Sequence, residues 1–167
     1  MTTSGSNSGG YLIPDPYDGY PADPWGIAAG PDGDIWFTTT SQFYNQQSQS
    51  AENYLTVSQI TTTGNAGNVY DPAGEPLGIA AGPDGGMRVA ETLGNGFIES
   101  FRTSAGGSHA VYTITDCASE PTFITAGPDD TVWFTDTELN SIGQISVSSV
   151  SSAAQRGKPQ RSTILRR

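Results

Sequence analysis

Hydrophobic residues fall along this chain in short clusters divided by turns, and no segment keeps the i, i+3, i+4, i+7 spacing of a helix face. Ile35, Trp36, Phe37 and Thr38 form one such cluster, preceded by Gly30-Pro31-Asp32-Gly33. Proline sets φ at the second position of a tight turn and glycine accepts a positive φ at its end. The tetrapeptide therefore predicts a turn between a short strand at 27–29 and a β-rich strand at 35–38. Ile35 and Phe37 point to one face of the second strand and Trp36 and Thr38 to the other. Both faces carry bulk, as a sheet covered on both sides requires.

The pattern recurs. PWGIAAGPDGDIWFTT begins at Pro24, PLGIAAGPDGGMRVAE at Pro76 and PTFITAGPDDTVWFTD at Pro121. The Gly-Pro-Asp turns begin at Gly30, Gly82 and Gly127, so the periods are 52 and 45 residues. Further strands are expected at 54–61 and 68–70, at 78–81, 87–90, 97–102 and 110–115, and at 123–126, 132–135 and 142–147. A polar loop separates 38 from 54. Four strands in about 45 residues match a propeller blade. A stacked solenoid is the alternative, but two hairpin turns per unit favour a meander. The expected fold is all-β, a partial β-propeller of about three four-stranded blades at 24–71, 76–117 and 121–147, within a region 11–147. Tyr11-Leu12-Ile13 reads as a lone fourth strand that completes the last blade, which lacks one of its own. Residues 1–10 and the basic tail 148–167 read as disordered.

The phrase P-x-G-I-x-A-G-P-D-G-x-x-W-F-T-E followed by N-x-I-G-x-I resembles the repeat of the virginiamycin B lyase (streptogramin lyase) propellers. Residues 27–39 and 79–91 carry the first phrase; 123–136 with Asn140-Ser141-Ile142-Gly143-Gln144-Ile145 carries both. The resemblance covers about 11–147. It implies a seven-bladed ring and a magnesium-dependent lyase that opens a cyclic depsipeptide by β-elimination, with a histidine base. The single histidine, His109, matches none of the repeat positions held by Trp25, Leu77 and Thr122, and reads as an ordinary loop residue. The implied function is a lyase-like fragment without complete catalytic machinery, a truncated propeller that further repeat units just downstream in another frame would identify. The alternatives are a non-catalytic module that binds a protein, peptide or glycan, and an enzyme assembled from several copies.

Charge sharpens the picture. The formal net charge is -10, yet five of the seven basic residues lie after Gln155. Residues 1–155 hold Arg88 and Arg102 against all 17 acids, a net charge of −15. Such a body does not bind nucleic acid, which needs Lys and Arg. Low charged content (14%) with 21 Gly and 11 Pro suits short strands and turns. One cysteine, Cys117, rules out an intrachain disulfide. The N-terminus lacks a charged region followed by an apolar one, and no apolar run reaches the ~18 residues of a membrane span. No membrane partner is expected, and the cytoplasm is the default location.

The candidate site comes from the repeat. The entry to strand one and the exit from strand two share one end of a blade. Acids stand at the entries (Asp23, Glu75, Glu120) and at two exits (Glu91, Asp136), with Thr39 at the third. Five carboxylates are thus expected to rim one mouth, where oxygen ligands suit a hard cation; magnesium is implied by the resemblance. The plainer alternative is a solvated acidic rim. Asp32, Asp84 and Asp129 read as turn formers. Asp130 replaces a turn glycine at some strain. Arg88 replaces the strand tryptophan, a charge that is expensive unless paired and that suggests a middle blade that is an edge or irregular. Open blade faces bearing Trp36, Phe37, Trp133 and Phe134 predict self-association, with two chains closing a six-bladed ring.

Overall fold

The computed structural model describes residues 9–13, 22–102, 110–114, 118–147 and 163–164. Among these the chain is all-β, with twelve strands in three antiparallel four-stranded sheets. The first sheet runs β1 (Pro24–Ala29), β2 (Ile35–Asn45), β3 (Ser50–Ile60) and β4 (Ala66–Tyr70). The second runs β5 (Pro76–Ala81), β6 (Gly86–Glu91), β7 (Phe97–Arg102) and β8 (Ala110–Thr113). The third runs β9 (Pro121–Ala126), β10 (Thr131–Asp136), β11 (Ser141–Ser146) and β12 (Thr163–Ile164). Strands adjacent in sequence are adjacent in each sheet, the meander of a propeller blade. The molecule is a partial β-propeller.

The Gly-Pro-Asp turns close the first hairpin of each sheet. Gly33 N–H donates to the Gly30 carbonyl at 3.1 Å, and Gly85 N–H to that of Gly82 at 3.2 Å. Gly33 and Gly85 have φ of 89° and 79°; Asp130 takes the same place at 54°, a left-handed conformation that glycine tolerates better. The turn aspartates also reach into the sheets. Asp32 accepts from Trp36 Nε1 at 3.1 Å and from Gln59 Nε2 at 2.8 Å. Asp84 pairs with Arg88 at 2.6 Å.

Arg88 is fully buried, with both terminal nitrogens partnered and Nε left without a partner. Beyond Asp84 it donates to Ser100 Oγ at 2.8 Å and to the Met87 carbonyl at 3.0 Å, and it lies 5.7 Å from the Tyr112 ring centroid. The middle sheet keeps regular register around it, with Met87 opposite Phe101, Arg88 opposite Ser100 and Val89 opposite Glu99. The sheet is neither an edge, since it lies between the other two, nor more irregular than they are, because the Asp84 carboxylate partners the charge in place.

Two cores lie between the sheets. Trp36 and Val57 of the first sheet meet Ile79, Met87, Val89 and Phe101 of the second, with Tyr70 stacked on Trp36 at 5.4 Å. Ala90, Ile98, Tyr112 and Ile114 of the second meet Val132, Phe134, Ile145 and Val147 of the third. Glycine allows the close approach. A Cβ at Gly26 would strike the Leu77 carbonyl oxygen, and one at Gly78 would lie 2.5 Å from that of Thr122. Thr38 ties the first two sheets, accepting from Gly26 N–H at 2.8 Å and donating to the Leu77 carbonyl at 2.6 Å.

Two sequence expectations are corrected. Residues 11–13 form no strand; the Tyr11 ring lies against Gly64, in the β3–β4 turn of the first sheet. Thr163–Ile164 instead supplies the fourth strand of the third sheet, Ile164 opposite Gly143, and so gives β11 a backbone partner from within the tail. The polar loop expected after residue 38 is largely a hairpin. β2 and β3 are 11 residues each where β6 and β7 have 6, and their ladder is continuous from Ile35–Ile60 to Asn45–Ser50. This arm accounts for the longer first period. Its run of Thr38, Thr39 and Thr40 is β-branched and favours extended backbone.

Candidate functional site: the strand-entry mouth

In every sheet the entry to the first strand lies beside the exit of the second: Pro24 opposite Thr39, Pro76 opposite Glu91, Pro121 opposite Asp136. The next residue ties the two together. Thr40, Thr92 and Thr137 N–H donate to the carbonyls of Asp23, Glu75 and Glu120, each at 3.1 Å. The five acids thus stand at the same end of their own sheets, but they are of two kinds. Asp23, Glu75 and Glu120 are exposed, whereas Glu91 and Asp136 are 0% and 2% exposed.

The buried pair is committed to the backbone. Glu91 Oε2 accepts the Gly74 N–H at 2.6 Å. Glu99, diagonal to it on β7 and equally buried, accepts the Ala73 N–H at 2.9 Å. Burial, a hydrogen bond with Glu99 and the Glu99 charge push the Glu91 pKa from an ordinary 4.5 up to about 9, against the pull of the Gly74 N–H. Glu91 is therefore a neutral acid at neutral pH. Asp136 accepts from Ser119 Oγ at 2.6 Å and from the Glu120 and Leu139 N–H groups at 3.1 Å. Both residues hold the linker that leads into their own sheet. Thr39, at the same position in the first sheet, bonds Thr56 Oγ1 at 2.6 Å instead.

Asp136 spends both oxygens on three donors, which leaves neither free for a hard cation. Among the described residues, no group of three or more His, Cys, Asp or Glu side chains is placed to hold a metal ion. His109 and Cys117 lie outside the described residues.

Asp23 and Glu75 do share a feature: an open depression of about 740 Å³ lined also by Pro24, Trp25, Thr40, Ser41, Gln42, Asn53 and Leu55. The extended β2–β3 arm builds its wall. Gln42 Nε2 donates to Asn53 Oδ1 at 3.2 Å across the arm, and Asp23 N–H donates to Ser41 Oγ at 2.9 Å. Trp25 is 64% exposed. Trp36 and Trp133, by contrast, donate their indole N–H groups to Asp32 and Thr131. Sequence reasoning missed Trp25, Glu99 and the arm as parts of this mouth. Its available signals were the first period, longer than the second, and a tryptophan where the other units have Leu77 and Thr122.

The fold places the chain among propeller-like proteins, and solved structures bear this out. No family model and no curated protein matches the chain. Virginiamycin B lyase from Staphylococcus aureus is similar at 25% identity and a TM-score of 0.51, over 84% of this chain and 56% of that one. A catalytically inactive histidine-to-alanine variant of the same enzyme with quinupristin is similar at 25% identity and a TM-score of 0.52, over 83% and 56%. A streptogramin B lyase structure is similar at 27% identity and a TM-score of 0.51, over 81% and 54%. The chain thus spans little more than half the length of these lyases. Among the described residues no helix is long and apolar enough to cross a membrane.

Proposed function

We propose that the chain is a streptogramin lyase-like propeller segment that binds a ligand at its strand-entry mouth and carries no complete lyase centre of its own. The likeness to two named lyases at 25% and 27% identity supports the lineage. The engagement of Glu91 by the Gly74 N–H and of both Asp136 oxygens by Ser119, Glu120 and Leu139 is the observation that supports the absence of a free base at these two positions. Elimination needs a base free to take a proton from carbon. Glu91 already holds a proton, and both Asp136 oxygens are engaged. No step here runs through magnesium, because the described residues do not form its site. Asp23 and Glu75 remain exposed around an open depression with an exposed indole, which suits binding.

Quinupristin, the compound present with the inactive lyase variant, is the direct probe. Titrated into the isotope-labelled chain, it is expected to shift resonances of Trp25 and of the β2–β3 arm. Saturable shifts confined to the Gly-Pro-Asp turn end of the sheets would place the ligand face at the wrong mouth and overturn the reading.

A further inference from the structure

We propose that the depression at the strand-entry mouth takes an organic cation, its ammonium head at the Trp25 indole and the Asp23 and Glu75 carboxylates. This rests on reading the mouth as a ligand face and names the class of ligand.

Three observations converge. First, Trp25 leaves most of its ring in water at a concave surface, and its neighbours in the repeat, Leu77 and Thr122, are not aromatic. An exposed indole face attracts cations through its quadrupole. Second, no basic side chain among the described residues lines the depression, and the ion pair found among them, Asp84–Arg88, lies at the turn end of its sheet. The Asp23 and Glu75 carboxylates face the opening without a counter-charge. They sit in a body of strongly negative net charge, which concentrates cations near it. Third, the remaining wall is uncharged: Thr40, Ser41, Gln42 and Asn53 offer hydroxyls and amides, and Leu55 offers an apolar patch. A bare metal ion would want several hard oxygen ligands at once, which the described residues do not assemble, and would make no use of an indole. An alkylammonium uses all three features: charge for the carboxylates, methyl groups for the ring, and an organic body for the arm.

Choline and its neutral isostere 3,3-dimethylbutan-1-ol separate charge from shape. The readout is the indole N–H resonance of Trp25 in the full chain, assigned by its loss in Trp25→Phe. Choline is expected to shift it saturably, with affinity falling as salt rises from about 20 to about 200 mM. The isosteric double variant Asp23→Asn, Glu75→Gln is expected to weaken choline about tenfold or more, and Trp25→Ala to abolish the arm's response. All three positions are exposed, and an unchanged spectrum elsewhere verifies the fold. Equal affinity for the neutral isostere, or full choline affinity in the double variant, overturns the proposal. If quinupristin perturbs the mouth and choline does not, the cation class fails while the ligand face stands. If neither does, both fail.

Discussion

Asp84 and Arg88, four residues apart, join at 2.6 Å at the point where the first sheet joins Asp32 to Trp36 by an indole hydrogen bond. In these two sheets the turn aspartate anchors the side chain four residues on in the second strand, whereas in the third sheet Trp133 bonds Thr131 instead. The two anchors differ in energy. Removing one partner of a buried ion pair leaves an uncompensated charge, whereas removing an acceptor from neutral donors costs about one hydrogen bond for each. Asp84→Ala is expected to lower stability by about 4 kcal/mol and Asp32→Ala, which leaves Trp36 and Gln59 without their acceptor, by about 2 kcal/mol in denaturant titrations. Equal losses would show that Arg88 finds water or another partner.

The Glu91–Glu99 pair makes stability depend on pH. The folded chain keeps Glu91 protonated up to about pH 9, whereas the unfolded chain releases that proton near 4.5. Between those values the unfolded state binds fewer protons, so stability falls as pH rises. The contribution is complete below the lower value and lost above the upper one. Glu91→Gln, neutral at every pH, removes this slope. The stability of the native chain minus that of Glu91→Gln is expected to decline steadily from about pH 5 to pH 9. A flat difference would mean that Glu91 is ionised in the fold.

Phe123 stands where a further sheet would have to pack. It occupies the repeat position of Gly26 and Gly78, where the absence of a side chain lets the next sheet approach, and it is 69% exposed. Ile27 on the opposite open face is 73% exposed where its counterpart Ile79 is 6%. Closing two chains into a six-bladed ring would bring a following sheet onto Phe123. Gly78→Ala is expected to cost about 2 kcal/mol or more by the same overlap. Phe123→Gly is expected to dimerise in sedimentation runs at concentrations where the native chain stays monomeric. A native dimer indifferent to this substitution would mean that the chains meet elsewhere.

The hairpin turns and the strand at Trp36 and Phe37 were legible because Gly, Pro and β-formers act locally. The mouth was legible only in part. Repeat phase placed Asp23, Glu75, Glu91, Glu120 and Asp136 at matching ends of their sheets, since register follows from the turn. Burial did not follow. Glu91 is neutral because burial and then Glu99, eight residues on and diagonal to it, raise its pKa against the pull of the Gly74 N–H, and that depends on how sheets pack. Trp25 stood out only as the repeat counterpart of Leu77 and Thr122, and nothing local in the sequence says that its ring stays in solvent. Tyr11 went to the wrong sheet because a short apolar run carries no record of its partner.

The account turns on whether this mouth performs chemistry. Elimination opens a depsipeptide ring without changing its mass, so chromatographic retention is the readout. Quinupristin incubated with the purified chain and magnesium is expected to elute unchanged, at the rate of a protein-free control. Conversion to a later- or earlier-eluting isomer that scales with protein concentration would contradict the account and restore a working lyase centre to this chain.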